Sequence, residues 1–382
     1  MMKKKLSILV NDLDTGGAER VVSILLYMLR DRYDITLFMI HDIIFYDIPS
    51  DIKVVIVGSA NLNDSGLLKL LKLPLLGWQY KQENKSSLLS ISFLSRSNYI
   101  NVFAKLFGMQ GRVIVSERAM PSLQYSKNLQ GRINKFLIKK LFNRADLVVA
   151  NSKGNAIDLE KNFAINNTTI INNLFDIEKI VSLSKEKATL GDGFSFITIG
   201  RLDEGKNHKL LIEAMRSIDA KLYIIGDGIL REELEKQIKL LKLKDKVFLL
   251  GKKKNPYKYL SKADCFIFAS NREGFPNVLV EALVCGLPVI STDCQSGPRE
   301  ILAPSTDVNF QIREDIELAD YGVLTPINSV DSMIEAMNLI KDRGDLQERY
   351  REKSAIRAID FDKERIIDGF IKILGSLPIS LI

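Results

Sequence analysis

Short runs of apolar residues alternate along the whole chain with longer segments in which apolar residues recur every three or four positions. The short runs are continuous rather than alternating, which is typical of parallel strands buried on both faces. Predicted strands lie at 6–10, 34–40, 53–57, 88–93, 112–116, 146–150, 194–200, 221–226, 246–251, 265–270 and 287–292. Predicted helices lie at 17–30, 128–143, 207–218, 229–243 and 276–285. This alternation predicts an α/β protein with right-handed crossovers and doubly wound parallel sheets.

The pattern divides into two halves, separated by the polar segment SLSKEKATLGDG at 182–193. At roughly 100–200 residues per domain, a chain of 382 residues should form two domains. We predict a Rossmann-like domain over 1–175, a linker over 176–193, a second Rossmann-like domain over 194–355, and a final helix within 356–382 that packs back on the first domain. Ligands of such sheets bind beyond the carboxyl ends of the strands, so a cleft between the two facing domains is the predicted site.

Composition and cysteine content narrow the class of protein. Hydrophobic residues make up 46% and charged residues 26%, as in an ordinary globular protein. The three cysteines are isolated, which excludes a disulfide framework or a zinc site and makes a reducing cytosol the simplest compartment. The opening MMKKKLSILVND resembles a first strand more than a signal peptide, and no apolar run approaches the roughly 18 residues of a membrane span.

Positive charge is concentrated in one part of the first half. Segment 67–140 carries 13 Lys and Arg residues against two acids, Glu83 and Glu117, within a chain of net charge +7. A solvated basic face, an anionic membrane surface or a polyanionic substrate would each explain it. Nucleic acid is not predicted as a partner, because no nucleic-acid-binding motif accompanies the charge.

Leucines and aromatic residues lie among the lysines of 67–85, so this stretch is the predicted membrane face. Pro74 predicts a short helix and a turn there rather than one long helix. The alternative is that the leucines pack on the domain's own sheet while the lysines face water. The residues predicted to meet anionic lipid are Lys69, Lys72, Trp78, Lys81 and Lys85.

The loop NDLDTGGAER follows the first predicted strand and opens a helix. Gly16 and Gly17 let the backbone approach a ligand, and the helix N-terminus behind them favours an anion. A tight strand–helix turn would use the same glycines, and the GxGxxG dinucleotide motif is absent. Asp12 and Asp14 have the spacing of a metal-binding DxD motif, but we predict no metal site there because the loop already supplies amide donors.

Cations follow the first strand of the second half. Arg201 and Lys206 lie five residues apart in GRLDEGKNHK, just after predicted strand 194–200. A guanidinium offers a fork of donors and an ammonium a compact charge, a combination that suits a diphosphate. Two surface cations paired with Asp203 and Glu204 are the alternative.

Glu273 and Glu281 lie eight residues apart in NREGFPNVLVEA, residues 271–282. Pro276 suits the first turn of a helix, so Glu273 should precede the helix and Glu281 should lie inside it. A carboxylate among apolar neighbours needs partners, and a ribose diol offers two hydroxyls. The helix would present backbone amides to a phosphate, and the predicted donors are Asn277, Val278 and Leu279.

Several of these segments together resemble the retaining GT-B glycosyltransferases of family 4. They are GGAER (16–20), GRLDEGKNH (200–208), GDG (226–228) and EGFPNVLVEAL (273–283). Further segments, including NKFLIKKLFNRADLVVANSKGN and SGPREIL, are similar to the N-acetylgalactosaminyltransferases of bacterial N-glycosylation clusters. The resemblance covers essentially the whole chain.

The resemblance implies a role for each residue of the second-half motifs. Glu281 would hold the ribose hydroxyls of a nucleotide, and Glu273 would lie at the donor sugar near its 3- and 4-hydroxyls. Arg201 and Lys206 would clamp the diphosphate and act with Glu273 in catalysis. We predict that no metal and no other cofactor is required, and that the substrate is a nucleotide sugar.

Other implied contacts lie around these. Gly17 would donate a backbone N–H to the distal phosphate, and the strand end at Gly251 would face the base. Many family members have a His near the sugar 6-hydroxyl, where this chain has Arg118 after Glu117. Glu117 and Arg118 are therefore the predicted acceptor or sugar contacts, and the departure leaves the donor sugar open.

The prediction is a metal-independent retaining glycosyltransferase at the cytoplasmic face of the bacterial inner membrane. It would transfer GalNAc from UDP-GalNAc to a saccharide on undecaprenyl diphosphate. One alternative is an O-antigen or capsule hexosyltransferase that uses UDP-Glc, UDP-Gal or UDP-GlcNAc. A nucleotide-sugar 2-epimerase and a non-enzymatic nucleotide-sugar-binding regulator are alternatives of other classes.

Overall fold

A computed structural model describes residues 3–58, 61, 63–85, 87–125 and 128–375 and resolves into two compact units. The first unit comprises the described residues up to Phe175 and those from Lys363 onward, and the second unit is Asp176–Asp362. Each unit is built on its own seven-stranded, mostly parallel sheet. The predicted fold class, two Rossmann-like α/β units, is confirmed.

The first unit alternates strands and helices from its first described residues. Its strands are β1 (Lys4–Val10), β2 (Tyr33–Met39), β3 (Lys53–Ile56), β4 (Leu89–Phe93), β5 (Arg112–Glu117), β6 (Leu147–Ala150) and β7 (Thr168–Ile170). Its helices so far are α1 (Gly17–Leu29), α2 (Gly66–Leu71), α3 (Leu73–Glu83), α4 (Ser95–Leu106), α5 (Pro121–Gln124), α6 (Leu129–Leu141) and α7 (Lys153–Phe163). The strand order is β3-β2-β1-β4-β5-β6-β7, and the described pairings are parallel. The order reverses between β1 and β4, which is where a doubly wound sheet opens a crevice.

The second unit repeats this plan. Its helices are α8 (Ile177–Ser184), α9 (His208–Ala214), α10 (Arg231–Leu240), α11 (Tyr257–Leu260), α12 (Asn277–Val284), α13 (Pro298–Leu302), α14 (Val330–Asp342) and α15 (Gly344–Ala358). Its strands are β8 (Ser195–Ile199), β9 (Lys221–Ile225), β10 (Val247–Gly251), β11 (Cys265–Phe268), β12 (Val289–Thr292), β13 (Glu317–Leu318) and β14 (Val323–Thr325). The order is β10-β9-β8-β11-β12-β14-β13, and β13 runs antiparallel at the edge.

Burial explains the continuous apolar runs. In β1, Leu6, Ile8 and Val10 join the core on the side of α1, while Leu9 joins the core on the opposite side with Tyr80. Successive side chains of a strand point to opposite faces, so a strand covered by helices on both sides needs apolar residues at every position. The central strands are therefore predicted from runs buried on both faces, whereas the edge strand β3 has three exposed positions out of four.

The predicted linker needs correction. Residues 176–193 are not a separate connector, because they include α8, which belongs to the second unit. Ile180 on α8 is buried, Asn255 Nδ2 donates to the carbonyl of Leu183 at 2.8 Å, and Ser261 Oγ donates to that of Ser184 at 2.7 Å. These long-range hydrogen bonds attach α8 to the region of α11.

The chain returns to the first unit later than predicted. Residues 356–362 complete α15 and a short 3₁₀ turn. Within the second unit, Phe361 packs edge-on against Phe275, with 5.4 Å between the ring centres. Helix α16 (Lys363–Gly375) then joins the first core through Ile367, Phe370 and Ile373. Residues 376–382 of the predicted segment lie outside the described residues.

Candidate active site

The loop after β8 is shaped by its own side chains. Asp203 Oδ1 accepts hydrogen bonds from the backbone N–H groups of Gly205 at 2.9 Å and Lys206 at 3.2 Å. The next loop packs closely behind it, because a β-carbon at Gly226 would lie 1.9 Å from the carbonyl oxygen of Gly200. Gly226 also has a φ of +143°, so both the close contact and the backbone conformation exclude a side chain there. The loop that carries Lys206 is thereby held in one conformation.

Lys206 and Glu273 meet at the carboxyl ends of the neighbouring strands β8 and β11. Lys206 Nζ lies 2.5 Å from Glu273 Oε1, and Ser270 Oγ donates to the same oxygen at 2.5 Å. The Lys206 side chain is 23% exposed and the Glu273 side chain is 10% exposed. The Lys206 ammonium also lies 5.2 Å from the ring centre of Phe268. The structure therefore unites the predicted diphosphate cation with the predicted sugar carboxylate.

A strained turn supports the segment that follows Glu273. Ser296 has a φ of +68°, and its hydroxyl donates to the carbonyl of Gly274 at 2.7 Å. A β-carbon at Gly297 would lie 2.3 Å from Cδ of Pro276. Backbone strain of this kind persists only where surrounding contacts enforce it. The SGPREIL segment thus has a physical role here, since its first residues back the Glu273 loop.

Glu281 lies inside α12, as predicted, and is only 2% exposed. The helix begins at Asn277, directly after Pro276. The predicted amide of Leu279 is not available to a ligand, because it donates to the carbonyl of Pro276 at 3.0 Å. This i→i+3 hydrogen bond closes the first turn of the helix. The prediction that Leu279 donates to a phosphate is therefore wrong, whereas the predictions for Asn277 and Val278 stay open.

Arg201 projects into solvent from the Lys206 loop. Its side chain is 77% exposed, and Nε lies 3.4 Å from Asp203 Oδ2. An exposed ion pair at this distance contributes little stability, so the guanidinium is easily redirected. Gly251 ends the edge strand β10 with a φ of +71°, and its carbonyl accepts from the N–H of Gly226 at 3.1 Å.

His208 lies beneath the loop after β8 that carries Arg201 and Lys206, and it is 3% exposed. Burial, and then the nearby charge of Lys206, lower the pKa of His208 to about 4. The imidazole is therefore neutral at physiological pH, and its ring would lie 3.4 Å from a β-carbon at Gly200. His208 is thus a buried, uncharged residue that packs under the start of the loop.

In the first unit, α1 begins at Gly17 with Gly16 as its N-cap residue. Asp12 Oδ1 accepts from the N–H of Asp14 at 3.2 Å, so Asp12 helps to shape the loop that leads to the glycines. Among the described residues, no group of three or more His, Cys, Asp or Glu side chains has the arrangement of a metal site.

Glu117 is buried at the end of β5, with 1% exposure. Its carboxylate accepts from the N–H groups of Arg118 at 3.1 Å and Ala119 at 3.3 Å and from Ser95 Oγ at 3.0 Å. Burial raises the pKa of Glu117 to about 7, and these hydrogen bonds only partly offset the effect. The carboxylate therefore holds the strand end together.

Arg118 is also buried, with 8% exposure. Its guanidinium lies 5.1 Å from the ring centre of Phe93 and 5.8 Å from that of Phe370 on α16. Nη1 donates to Asn173 Oδ1 at 2.7 Å, whereas Nε and Nη2 have no partner among the described residues. Arg118 thus links β4, β5 and α16, and its contact with a sugar stays a prediction.

A second polar cluster lies where the strand order of the first sheet reverses. Arg96 Nη1 lies 3.1 Å from Nε2 of His41, and Ser97 Oγ donates to Asn11 Oδ1 at 2.9 Å. Arg96 and Ser97 follow β4, whereas His41 follows β2 and Asn11 follows β1. Arg96 Nε and Nη2 are buried and have no partner in the part of the chain that the structure describes. The Arg96 guanidinium therefore offers unused hydrogen-bond donors at the crevice of this sheet.

The family described as glycosyl transferases group 1 matches residues 182–357. A Campylobacter jejuni protein is 38% identical over 97% of this chain and 99% of its own length. The chain belongs to the group 1 glycosyltransferases. That relative is named N-acetylgalactosamine-N,N'-diacetylbacillosaminyl-diphospho-undecaprenol 4-alpha-N-acetylgalactosaminyltransferase.

More distant similarities agree with this assignment. A second C. jejuni protein, 24% identical over 98% of this chain and 99% of its own length, is named GalNAc-alpha-(1->4)-GalNAc-alpha-(1->3)-diNAcBac-PP-undecaprenol alpha-1,4-N-acetyl-D-galactosaminyltransferase. The structure of HepE from Anabaena with UDP and glucose is 20% identical, with a TM-score of 0.78, and the match covers 98% of this chain and all of HepE. The glycosyltransferase therefore has the GT-B fold.

Some polar residues of this glycosyltransferase were missed by sequence reasoning. Ser270 follows the buried run of β11, and Arg96 follows that of β4. Polar residues just beyond a buried parallel strand mark the edge at which ligands bind, so their position is the feature that could have identified them. Their hydrogen-bond partners are fixed only by the folded loops.

Proposed function

We propose that this glycosyltransferase transfers GalNAc from UDP-GalNAc to a saccharide carried on undecaprenyl diphosphate, with retention of the anomeric configuration. The 38% identical relative, matched over nearly its full length, is named for such a transfer. The observation that carries the proposal is the contact of Lys206 with Glu273. It sets a cation for a diphosphate beside a carboxylate that can bind sugar hydroxyls.

The chemistry is electrostatic. As the bond from the anomeric carbon to the diphosphate oxygen breaks, negative charge grows on the leaving group. Lys206 and Arg201 would stabilise that charge while an acceptor hydroxyl attacks from the same face. Glu273 would position the sugar and Glu281 the ribose. No divalent metal is required in this scheme, since side chains and amides meet the phosphate charge.

The acceptor's lipid would bring the first unit to an anionic bilayer. Leu71, Leu75 and Trp78 on α2 and α3 are 78%, 54% and 51% exposed, whereas Leu73 and Leu76 are buried in the core. Only part of the leucine-rich stretch therefore packs on the sheet. No described helix is long and apolar enough to cross a membrane. We place the protein peripherally, on the cytoplasmic face of the bacterial inner membrane.

The transfer is tested by incubating the purified protein with UDP-GalNAc, UDP-GlcNAc, UDP-Gal or UDP-Glc and a synthetic lipid-diphosphate disaccharide. Mass spectrometry should show one added HexNAc from UDP-GalNAc, and the product's coupling constants should show retention. Glu273→Gln should lower the kcat of transfer, while Glu235→Gln, a surface change on α10, serves as the control. Preferred use of another UDP-sugar would instead favour the capsule or O-antigen alternative. An altered sugar nucleotide formed without acceptor would establish an epimerase.

The membrane contact is tested by flotation with anionic vesicles. Each basic residue near such a surface contributes about 1 kcal/mol, and salt screens the effect. Binding should be strong at low salt, weak at about 1 M salt, and reduced when four lysines of the predicted face are changed to Glu. Those four are Lys69, Lys72, Lys81 and Lys85.

In the control variant, four exposed lysines of the second unit are changed to Glu, which makes the same change in net charge. They are Lys236, Lys239, Lys242 and Lys244. If both quadruple variants float equally well, the membrane face does not lie on α2 and α3.

A further inference from the structure

A cavity of about 350 Å³ opens on the first unit among three consecutive helices. Its lining comes from α5, α6 and α7 and consists of Ser122, Lys135, Phe136, Lys139, Asn162 and Phe163.

Two cations enter this cavity from one face of α6. Lys135 and Lys139 are four residues apart, so they lie one above the other on the helix. The Lys135 ammonium donates one hydrogen bond to the carbonyl of Ser122 at 3.0 Å, which fixes its position at the wall. Two of its three protons therefore remain for other acceptors.

The nearby acid does not neutralise these lysines. Asp158 is 1% exposed, and its two oxygens accept from the N–H of Ser122 at 3.0 Å and from Asn162 Nδ2 at 2.6 Å. Among the described residues, neither Lys135 nor Lys139 has a carboxylate within 4.0 Å. The cavity thus carries a positive charge that calls for an anion from outside the protein.

Apolar surface adjoins the cations. Phe163 is 3% exposed and forms part of the wall, while Phe136 at the rim is 58% exposed. Leu129, two turns earlier on α6, is 62% exposed, and Leu123 on α5 is 38% exposed. Exposed apolar residues grouped beside cations are typical of surfaces that lie in a membrane interface.

We propose that this cavity binds the headgroup phosphate of an anionic phospholipid. Lys135 and Lys139 contact the phosphate, and the Phe136 ring lies against the glycerol and the first acyl carbons. The proposal rests on the proposed membrane contact of the first unit and is independent of the proposed glycosyl transfer. It adds a specific, saturable lipid site to the general membrane contact proposed for α2 and α3.

The test uses a fluorescent reporter in the full-length chain. The sequence contains one tryptophan, Trp78. In a Trp78→Phe background, Phe136→Trp places the single emitting group at the cavity rim. Dihexanoyl phosphatidylglycerol is titrated below its micelle concentration, with dihexanoyl phosphatidylcholine and inorganic phosphate as separate probes. No sugar donor is present, so the result is independent of transferase activity, which is measured separately.

Saturable quenching or a blue shift is expected with phosphatidylglycerol. Lys135→Met with Lys139→Met should weaken binding about tenfold or more, because charge-assisted contacts are lost. The control pair Arg144→Met with Lys161→Met removes the same charge from nearby exposed positions outside the cavity. Its dissociation constant should stay within about twofold of that of the reporter protein. Lys139→Met alone leaves the Lys135–Ser122 bond intact and serves if the double variant does not fold.

Three results would overturn the proposal. Equal affinity for phosphatidylcholine would mean that only the apolar rim binds. Equal affinity for inorganic phosphate would mean a simple anion site without lipid recognition. Unchanged phosphatidylglycerol binding in folded Lys139→Met and in the double variant would show that the cavity lysines do not contact the ligand.

Discussion

Replacing Lys206 by Met retains an apolar stem and removes the ammonium that contacts Glu273. Glu273 would then keep the hydrogen bond from Ser270 but lose its cation. Exposed ion pairs contribute about 0–1 kcal/mol, whereas breaking a buried pair costs about 3–5 kcal/mol. With 23% and 10% of the two side chains exposed, we expect an intermediate loss of about 1.5–3 kcal/mol in the free energy of unfolding. Urea denaturation measures it.

A double-mutant cycle separates this pair from general damage. Glu273→Gln removes the charge that Lys206→Met leaves uncompensated, so the double variant should lose less stability than the two single losses combined. We expect a coupling free energy of about 1–2 kcal/mol, as for contacting charged residues. Additive losses would refute the interaction that the structure shows.

The same variant tests the assignment of Lys206 to the diphosphate. Loss of a charge-assisted contact of about 1.5–3 kcal/mol weakens binding roughly tenfold to a hundredfold. Titration calorimetry with UDP should show this loss for Lys206→Met. Lys209→Met is the matched control, because Lys209 pairs with Glu204 and Glu233 at the surface three residues later. UDP affinity that is unchanged in Lys206→Met would refute the reasoning, as would an equal loss in the control.

Three further predictions concern other charged groups. Glu281→Gln should weaken UDP binding, because the amide lacks the charge to hold a diol, whereas Glu273→Gln should lower kcat with little change in UDP affinity. Activity should survive excess EDTA, and loss of activity with rescue by Mn²⁺ would instead implicate Asp12 and Asp14. Burial raises the pKa of Glu117 to about 7, so the folded state binds more protons than the unfolded state between about pH 4.5 and 7. Relative to Glu117→Gln, the wild-type free energy of unfolding should therefore fall by up to about 3 kcal/mol over that range and then level off, as urea denaturation at several pH values would show.

Strands buried on both faces give the clearest sequence signal, although the largely exposed edge strand β3 was also predicted. Ile8 and Leu9 point to opposite cores, so residues 8–10 of β1 are consecutively apolar, a pattern that marks a doubly covered strand. The strands β7, β13 and β14 have only two or three residues each and were not predicted. Such short runs carry no period of their own, and their strand conformation depends on pairing with neighbours already in the sheet.

Sequence reasoning failed in a different way at α8. Its polar surroundings suggested a linker, yet the helix is amphipathic and places Ile180 in the interior. What makes it part of the second unit is the hydrogen bonding of Asn255 and Ser261 to its last turn. Both partners lie more than 70 residues away in sequence. The linker prediction was therefore wrong because it followed the polar residues, while the attachment of α8 depends on residues distant in sequence.

The same limit applies to charged residues of the candidate site. Spacing indicated that Lys206 and Glu273 belong to ligand-facing loops, but it could not show that they contact each other. That contact requires β8 and β11 to be neighbours, which the strand order provides. The pair also constrains the function, because any diphosphate that engages Lys206 must do so beside a carboxylate of like charge. A neutral hydroxyl-bearing sugar next to the phosphate would separate the two and bind Glu273, which favours a nucleotide sugar over a nucleotide alone.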